Sequence, residues 1–309
     1  MNVLVTGGAG FIGTSLVPML LERGWKVRVL DCLMFGGDPL LPFFRNPNFQ
    51  FVKGDVRSPA EVSAAMEGCD VVIHLAAIVG FPACRKDPKL AEEVNVHGTR
   101  NVAAAAGRDR LVLFGSTGSN YGDVKEDICT EDTPLHPLSL YGQTKTIAEG
   151  ELLTQCTTVA FRFATAFGVS GRLRLDLLVN DFVYKAVTQQ YLVVYEKHFL
   201  RTFIHVHDMC RAFLFAIDHR DRMAGNVYNI GSEKMNFSKQ QICQVIEKQI
   251  PCYVHYADVA EDLEKRNYFV SYRKITDLGF DTTLSVEEGV GELKRALTAI
   301  NYKTPYMNA

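Results

Sequence analysis

Directly behind the apolar run Val3-Leu4-Val5 stands Gly7-Gly8-Ala9-Gly10-Phe11-Ile12-Gly13, and no other segment limits the possible folds of this chain so tightly. The spacing predicts a strand that ends in a tight turn and opens into a helix. Gly7 permits the turn, Gly10 lets the backbone approach a phosphate, and Gly13 lets helix and strand pack closely, with Phe11 and Ile12 completing the turn. The helix N-terminus adds unpaired N–H groups and partial positive charge, a setting for a dinucleotide pyrophosphate. Asp31 closes the next apolar run, Lys26-Val27-Arg28-Val29-Leu30, where a carboxylate can hold the adenosine ribose hydroxyls. A glycine turn with no ligand is the alternative, and strand, helix and Asp31 together argue against it.

Strands are expected at 2–5, 26–31, 49–53, 70–75, 110–115 and 157–162, each a short β-branched or apolar run. Helical stretches lie between them near 11–23, 59–68, 88–106 and 139–155, and Pro18 should kink or loosen the first. Strands alternating with crossover helices imply an α/β fold: a doubly wound parallel sheet with ligands at the carboxyl ends of its strands. The rhythm changes after Gly168. Helices are then expected near 176–188, 238–248 and 286–299, while Phe203-Ile204-His205-Val206, the run Asp208 to Asp218 and Val227-Tyr228-Asn229-Ile230 read as a return to the first lobe. The expected division is therefore residues 1–168 with 204–232 as the dinucleotide lobe, and 169–203 with 233–309 as a smaller α/β substrate lobe.

Bulk properties narrow the function. A formal net charge of -2 over 309 residues argues against a general nucleic-acid or acidic-membrane binder. The first strand begins at Asn2, leaving no room for a signal peptide, and no apolar run is long enough to span a bilayer, so the expected location is cytoplasmic. Eight cysteines without Cys-x-x-Cys spacing fit reduced thiols better than disulfides or zinc. His205 and His207 share a strand face but lack an evident third ligand, so no metal is expected. No Gly-x-Ser-x-Gly elbow supports a serine hydrolase.

Tyr141-Gly142-Gln143-Thr144-Lys145 places a phenol and an ammonium four residues apart on one helix face. Such an ammonium can lower the phenol pKa toward working pH and make it a proton acceptor. Upstream, Leu111-Val112-Leu113-Phe114 runs into the polar turn Gly115-Ser116-Thr117-Gly118-Ser119-Asn120-Tyr121-Gly122, where a hydroxyl at the strand's end can hydrogen-bond a substrate oxygen. A nucleotide loop, a strand-end hydroxyl and then Tyr-x-x-x-Lys, in that order, resembles the short-chain dehydrogenase/reductase superfamily. The length and second lobe are similar to its extended branch, the nucleotide-sugar epimerases and dehydratases, which have a Rossmann-type sheet.

That resemblance covers nearly the whole chain and implies roles. Thr117, Tyr141 and Lys145 would be catalytic, the last two also touching the cofactor. Asp55 and Val56 in Gly54-Asp55-Val56-Arg57 would lie near the adenine. Leu75-Ala76-Ala77 would wall the pyrophosphate and ribose, and Asn95, in Asn95-Val96-His97-Gly98-Thr99, would sit on the helix backing the cofactor. Arg201, in Arg201-Thr202-Phe203-Ile204-His205-Val206-His207-Asp208, and Arg266 before Asn267-Tyr268 would hold the two phosphates of a nucleotide-diphosphate sugar, for which forked guanidinium donors are suited. Helices 88–106 and 139–155 correspond to the pair that such enzymes pack across a two-fold axis, implying a homodimer.

The reaction is narrowed by departures from the family. In its 4,6-dehydratases the two residues after the catalytic Ser/Thr are acidic. Here they are Gly118 and Ser119, which cannot transfer protons at neutral pH, and elimination of water is not expected. What remains is oxidation at one sugar carbon, by analogy C4, followed by release of the ketone (a dehydrogenase) or by its reduction on the opposite face (an epimerase). The segments Arg172-Leu173-Arg174-Leu175-Asp176-Leu177-Leu178-Val179-Asn180-Asp181-Phe182 and Lys265-Arg266-Asn267-Tyr268-Phe269-Val270-Ser271, with the loop Val79-Gly80-Phe81-Pro82-Ala83-Cys84, resemble a branch with GDP-heptose C4 dehydrogenases. They make Arg174, Asn180 and Cys84 substrate-side candidates. Cys84 could serve as an acid/base beside a ketone, although an inert buried thiol is the commoner use of a free cysteine. Asp31 favours NAD over NADP, since its carboxylate would repel a 2′-phosphate. A regulatory NAD-sensing protein without turnover is the alternative of another class, against which the intact Thr117, Tyr141 and Lys145 argue.

Overall fold

A computed structural model describes residues 1–124, 128–257, 269–300 and 308. Its strands are β1 (Asn2–Thr6), β2 (Lys26–Asp31), β3 (Phe49–Lys53), β4 (Val71–His74), β5 (Leu111–Thr117), β6 (Ile128–Cys129), β7 (Thr157–Phe163) and β8 (Thr165–Phe167). They continue with β9 (Tyr191–Tyr195), β10 (Leu200–His205), β11 (Asn226–Ile230), β12 (Asn236–Ser238), β13 (Tyr253–Ala257) and β14 (Phe269–Val270). The principal helices are α1 (Gly13–Glu22), α2 (Pro59–Met66), α3 (Phe81–Lys86), α4 (Pro88–Glu92), α5 (Gly98–Ala106) and α6 (Leu140–Gln155). In the second half come α7 (Leu178–Gln189), α8 (Val206–Asp218), α9 (Arg220–Met223), α10 (Lys239–Glu247), α11 (Arg273–Thr276) and α12 (Val286–Ala299).

Seven strands form one sheet in the order β11-β7-β5-β4-β1-β2-β3, every pair parallel. Period-two alternation sends successive side chains to opposite faces. Val3, Val5, Val27, Val29, Ile73 and Leu113 pack with α1 and α8 on one side. Leu4, Leu30, Val72, Val112 and Ala160 pack with α2, α5 and α6 on the other. Both faces are therefore apolar, which explains why these strands read as nearly continuous hydrophobic runs. Because β2 lies on one side of β1 and β4 on the other, the chain reverses direction there, and the crevice beyond the strand ends at this point is where open α/β sheets bind ligands.

A separate apolar cluster joins Phe167, Leu173, Leu175, Leu192 and Phe203 to α7, α10 and α12. Part of the expected return to the central sheet differs in detail. Val227–Ile230 does pair with β7 at the sheet edge, but Phe203–His205 pairs with Thr165–Phe167 in a three-stranded sheet of its own. The following helix α8 then returns to the central sheet, packing against α1 and burying Met209, Phe213 and Ile217. Helix α1 continues through Pro18. The long helix expected over 88–106 is divided by a five-residue π-helical turn, Glu93–His97. Such turns insert an extra residue and are frequent near functional sites.

Candidate active site

At the switch point lies a cavity of about 630 Å³. Its floor is the turn after β1. Gly7 has φ +72, and a side chain there would put Cβ 2.6 Å from the Ala76 backbone nitrogen, so only glycine lets the β1 and β4 ends come this close. A Cβ on Gly13 would meet the Gly8 backbone at 2.5 Å, which fixes how tightly α1 folds back on the turn. Ala9 and Leu33 donate their N–H groups to the two Asp31 carboxylate oxygens at 3.0 and 2.8 Å. Each oxygen keeps a lone pair for a further donor. Burial raises the Asp31 pKa, and those two N–H bonds oppose it. Gly7, Gly10, Phe11, Ile12, Gly13, Asp31, Asp55, Val56, Leu75, Ala76 and Ala77 all line this one cavity. A glycine cradle with a carboxylate at its far end suits a dinucleotide whose phosphates need N–H donors and whose ribose needs an acceptor.

The expected hydroxyl, phenol and ammonium line the same cavity. Thr117, Tyr141 and Lys145 are brought together there from the end of β5 and from the first two turns of α6. Ser139 starts that helix by accepting the Gly142 N–H, so Tyr141 and Lys145 sit one turn apart near a fixed end. Thr117 Oγ1 accepts the Ser119 N–H and donates to Ser119 Oγ, both at 3.1 Å. Lys145 is buried, with Nζ 3.9 Å from the centre of the Phe114 ring. Burial pulls its pKa down to about 7, against the pull of the Glu149 charge.

Behind these groups lie two polar networks. His74 accepts at Nδ1 from Thr6 Oγ1 at 2.6 Å, while its Nε2 faces Thr99 Oγ1 at 3.0 Å, which in turn donates to the Asn95 carbonyl. The Thr99 donation leaves His74 as the Nε2–H tautomer, and burial pushes its pKa down to about 3. The second network centres on Glu149, which accepts from Ser116 Oγ at 2.5 Å, Asn120 Nδ2 at 3.1 Å and Arg162 Nη2 at 2.7 Å. Neither network follows from strand and helix patterning alone. Glu149 could have been found as the next residue on the Tyr141-Lys145 face, since it follows Lys145 by one helical turn.

Several expected contacts take a different form. Asn95 lies in the π-helical turn and does not line the cavity; its amide receives the Ile78 N–H at 2.8 Å and donates to the Ile78 carbonyl at 3.0 Å, holding the wall from behind. Asn180 is fully buried and ties Gly168 to the Arg174 carbonyl. Cys84 is fully buried beneath the loop, donates its thiol to the Ile78 carbonyl, and has its pKa pushed up to about 11 by burial. An acid/base or substrate role for Cys84 does not fit that position, because the thiol belongs to the apolar core under the cavity wall. Arg174 and Arg201 line the cavity, Arg174 being forked onto Asp176 at 2.6 and 3.1 Å; Arg266 lies outside the described residues. His205 caps α8 by accepting the His207 N–H and contacts Glu292 at 2.7 Å. Among the described residues no group of three His, Cys, Asp or Glu could hold a metal ion, and no helix is long and apolar enough to cross a membrane.

This fold and cavity define a dinucleotide-binding α/β protein with a hydroxyl–phenol–ammonium site. Residues 3–231 match the sequence model of the NAD dependent epimerase/dehydratase family, and the chain belongs to that family as an NAD-dependent enzyme. It is 31% identical to the low-salt glycan biosynthesis protein Agl12 of Haloferax volcanii, over 94% of this chain and 96% of that protein. It is 30% identical to a dTDP-glucose 4,6-dehydratase of Streptomyces griseus, over 94% and 92% respectively. The solved UDP-glucose 4-epimerase of Thermus thermophilus in complex with NAD superposes with a TM-score of 0.82 at 26% identity, covering 96% of this chain and 98% of that one.

Proposed function

We propose that this protein oxidises the C4 hydroxyl of a nucleotide-diphosphate sugar, releasing the 4-keto sugar, with a GDP-heptose as the favoured substrate type. Relatives and structural neighbours named for dTDP-glucose and UDP-glucose support the nucleotide-sugar class. The observation that carries the reaction type is the acid content of the cavity. Its carboxylates among the described residues are Asp31, Asp55 and Asp176. The first two belong to the adenosine end, and the third is held by Arg174. Beside Thr117 stand Gly118 and Ser119, so no carboxylate among these is placed to protonate a leaving hydroxyl, although a dehydratase is among the relatives.

When bound, NAD supplies the acceptor for the hydride that leaves the carbinol carbon. Tyr141 takes the hydroxyl proton at its phenolic oxygen while Thr117 Oγ1 orients the same oxygen. Lys145 stabilises the phenolate that assists this transfer; buried as it is, its ammonium gains more from an anionic neighbour than it would in water. Asp31 receives the ribose hydroxyls, and Arg174, Arg201 and Arg266 serve the sugar-nucleotide diphosphate. Oxidation removes one hydride and one proton from the sugar and leaves a ketone. A 4-epimerase is the second reading, favoured by the epimerase neighbour, and differs only in returning hydride to the other ketone face. A homodimer packed through α5 and α6, and a cytoplasmic location, belong to the same reading; a monomer by light scattering would contradict the first. Incubation with UDP-, GDP-, CDP- and dTDP-sugars plus NAD tests the function. NADH absorbance with a ketone product supports it, inverted sugar without net NADH supports the epimerase, and no change with any sugar refutes both.

A further inference from the structure

We infer that Arg172 reaches from the loop after β8 onto the glycine turn and is the cationic partner of the NAD diphosphate. Three observations converge on it. First, the loop is fastened to the start of α1: the Arg172 N–H donates to Thr14 Oγ1 at 3.1 Å, and Ser170 Oγ donates to the Phe11 carbonyl at 2.7 Å. The packing leaves no slack, because a Cβ on Gly171 would sit 3.2 Å from the Thr14 Cβ. Second, Arg172 is buried at 4% exposure yet lines the cavity, its guanidinium carbon 4.1 Å from the centre of the Phe35 ring and Nη1 donating to Asn308 Oδ1 at 2.6 Å. Ring and amide hold it in one direction. Third, the turn itself, Gly7 to Gly13, contains no cationic side chain. A diphosphate cradled only by N–H groups leaves most of its charge to be met from elsewhere, and Arg172 arrives on the element bonded to that turn. Its charge is felt at Asp31 as well as at Arg174 and Asp176, as expected of a group standing between the two ends of the cavity.

A planar forked donor suits this task, and its contribution depends on the second-lobe loop being seated on α1. Cofactor affinity is thereby tied to an element that also carries Arg174 on the substrate side. The inference rests on the NAD dependence of the site and not on whether the ketone is released, and its test reads binding rather than turnover.

The test is calorimetric titration of Arg172→Gln with NAD, ADP-ribose, adenosine and GDP. NAD and ADP-ribose should each bind roughly ten- to a hundredfold more weakly, the loss of one charge-assisted contact, while adenosine and GDP bind within about twofold of the unaltered protein. Arg172→Lys should fall between, since it keeps the charge without the fork, and it is read the same way if the glutamine variant does not fold. Equal weakening of adenosine would show a merely structural role and overturn the assignment. Weakened GDP with unchanged NAD would transfer Arg172 to the substrate diphosphate, and no change in any ligand would refute it outright.

Discussion

Replacing Glu149 by glutamine removes one buried negative charge and leaves the Arg162 guanidinium without its counter-ion. The two side chains are 3% and 6% exposed and meet at 2.7 Å, with a second guanidinium nitrogen 3.2 and 3.3 Å from the carboxylate oxygens. Burial alone would lower the Arg162 pKa, and Glu149, with a smaller contribution from Tyr121, more than reverses this. Tyr121 Oη and the Glu131 carbonyl, which accept from Arg162 Nη1 at 3.2 and 3.0 Å, supply dipoles but no charge. Breaking one half of such a pair costs about 3–5 kcal/mol. With unfolding entropy near 2.1 cal/mol/K per residue, a chain of 309 residues should melt roughly 5–8 °C lower. Catalysis should suffer as well, because a glutamine amide keeps one acceptor oxygen, so its NH2 group must face either Arg162 or the Ser116–Asn120 donors that flank Thr117. Differential scanning fluorimetry at fixed NAD concentration reads the first effect. The double variant Glu149→Leu with Arg162→Met should recover the part of the loss that comes from the stranded charge, since a neutral pair leaves no buried ion, but not the part that comes from Ser116 and Asn120. A single-variant shift below about 1 °C, or a double variant worse than the sum of its parts, would mean that Glu149 does not hold a buried charge in place.

Tyr141→Phe should lower turnover by about 10²–10⁴ while leaving NAD affinity unchanged by titration; undiminished turnover would remove Tyr141 from the proposed mechanism. Lys145 titrates near 7 in the fold against 10.5 when unfolded, so between these values the unfolded chain binds more protons and stability rises with pH. Denaturation of the cofactor-free protein at pH 7 and 9 should show a gain of roughly 2 kcal/mol that Lys145→Met lacks; an identical slope in both would contradict the buried-ammonium account. Cys84→Ser should retain activity within a fewfold, because the thiol faces the Ile78 carbonyl from beneath the cavity wall, whereas a loss of orders of magnitude would restore a chemical role. Asp31→Ala should weaken NAD more than NADP, narrowing the preference in a competition titration.

Much of this architecture is legible in the chain because it repeats simple periods. Apolar runs bounded by glycine and polar turns mark β1 and β7 nearly to the residue, since a strand buried on both faces tolerates little else, and the alternating runs of β2 and the edge strand β3 mark those two as closely. The Tyr141-Lys145 spacing identifies a face of α6 because helix geometry alone puts them together. What escapes depends on contacts between distant segments. The π-helical turn at Glu93–His97 leaves no mark in an amphipathic pattern, yet it decides that Asn95 serves the Ile78 backbone instead of the cavity. Neighbours in sequence point Cys84 and Asn180 toward the substrate, whereas their burial follows from loop paths that local patterns do not encode. Arg172 is visible in the sequence only as one residue of a family-like segment. Its meaning comes from Thr14 and Phe35, respectively 158 and 137 positions away in the chain.

The proposed reaction is tested most directly by the mass of the sugar product, measured in ordinary and heavy water with the nucleotide sugar that the protein turns over. Release of the C4 ketone predicts a product lighter by two hydrogens, matched by one NADH and carrying no solvent deuterium at carbon as formed. A product lighter by one water, with deuterium incorporated from solvent, would mean that elimination occurs despite Gly118 and Ser119 and would contradict the account.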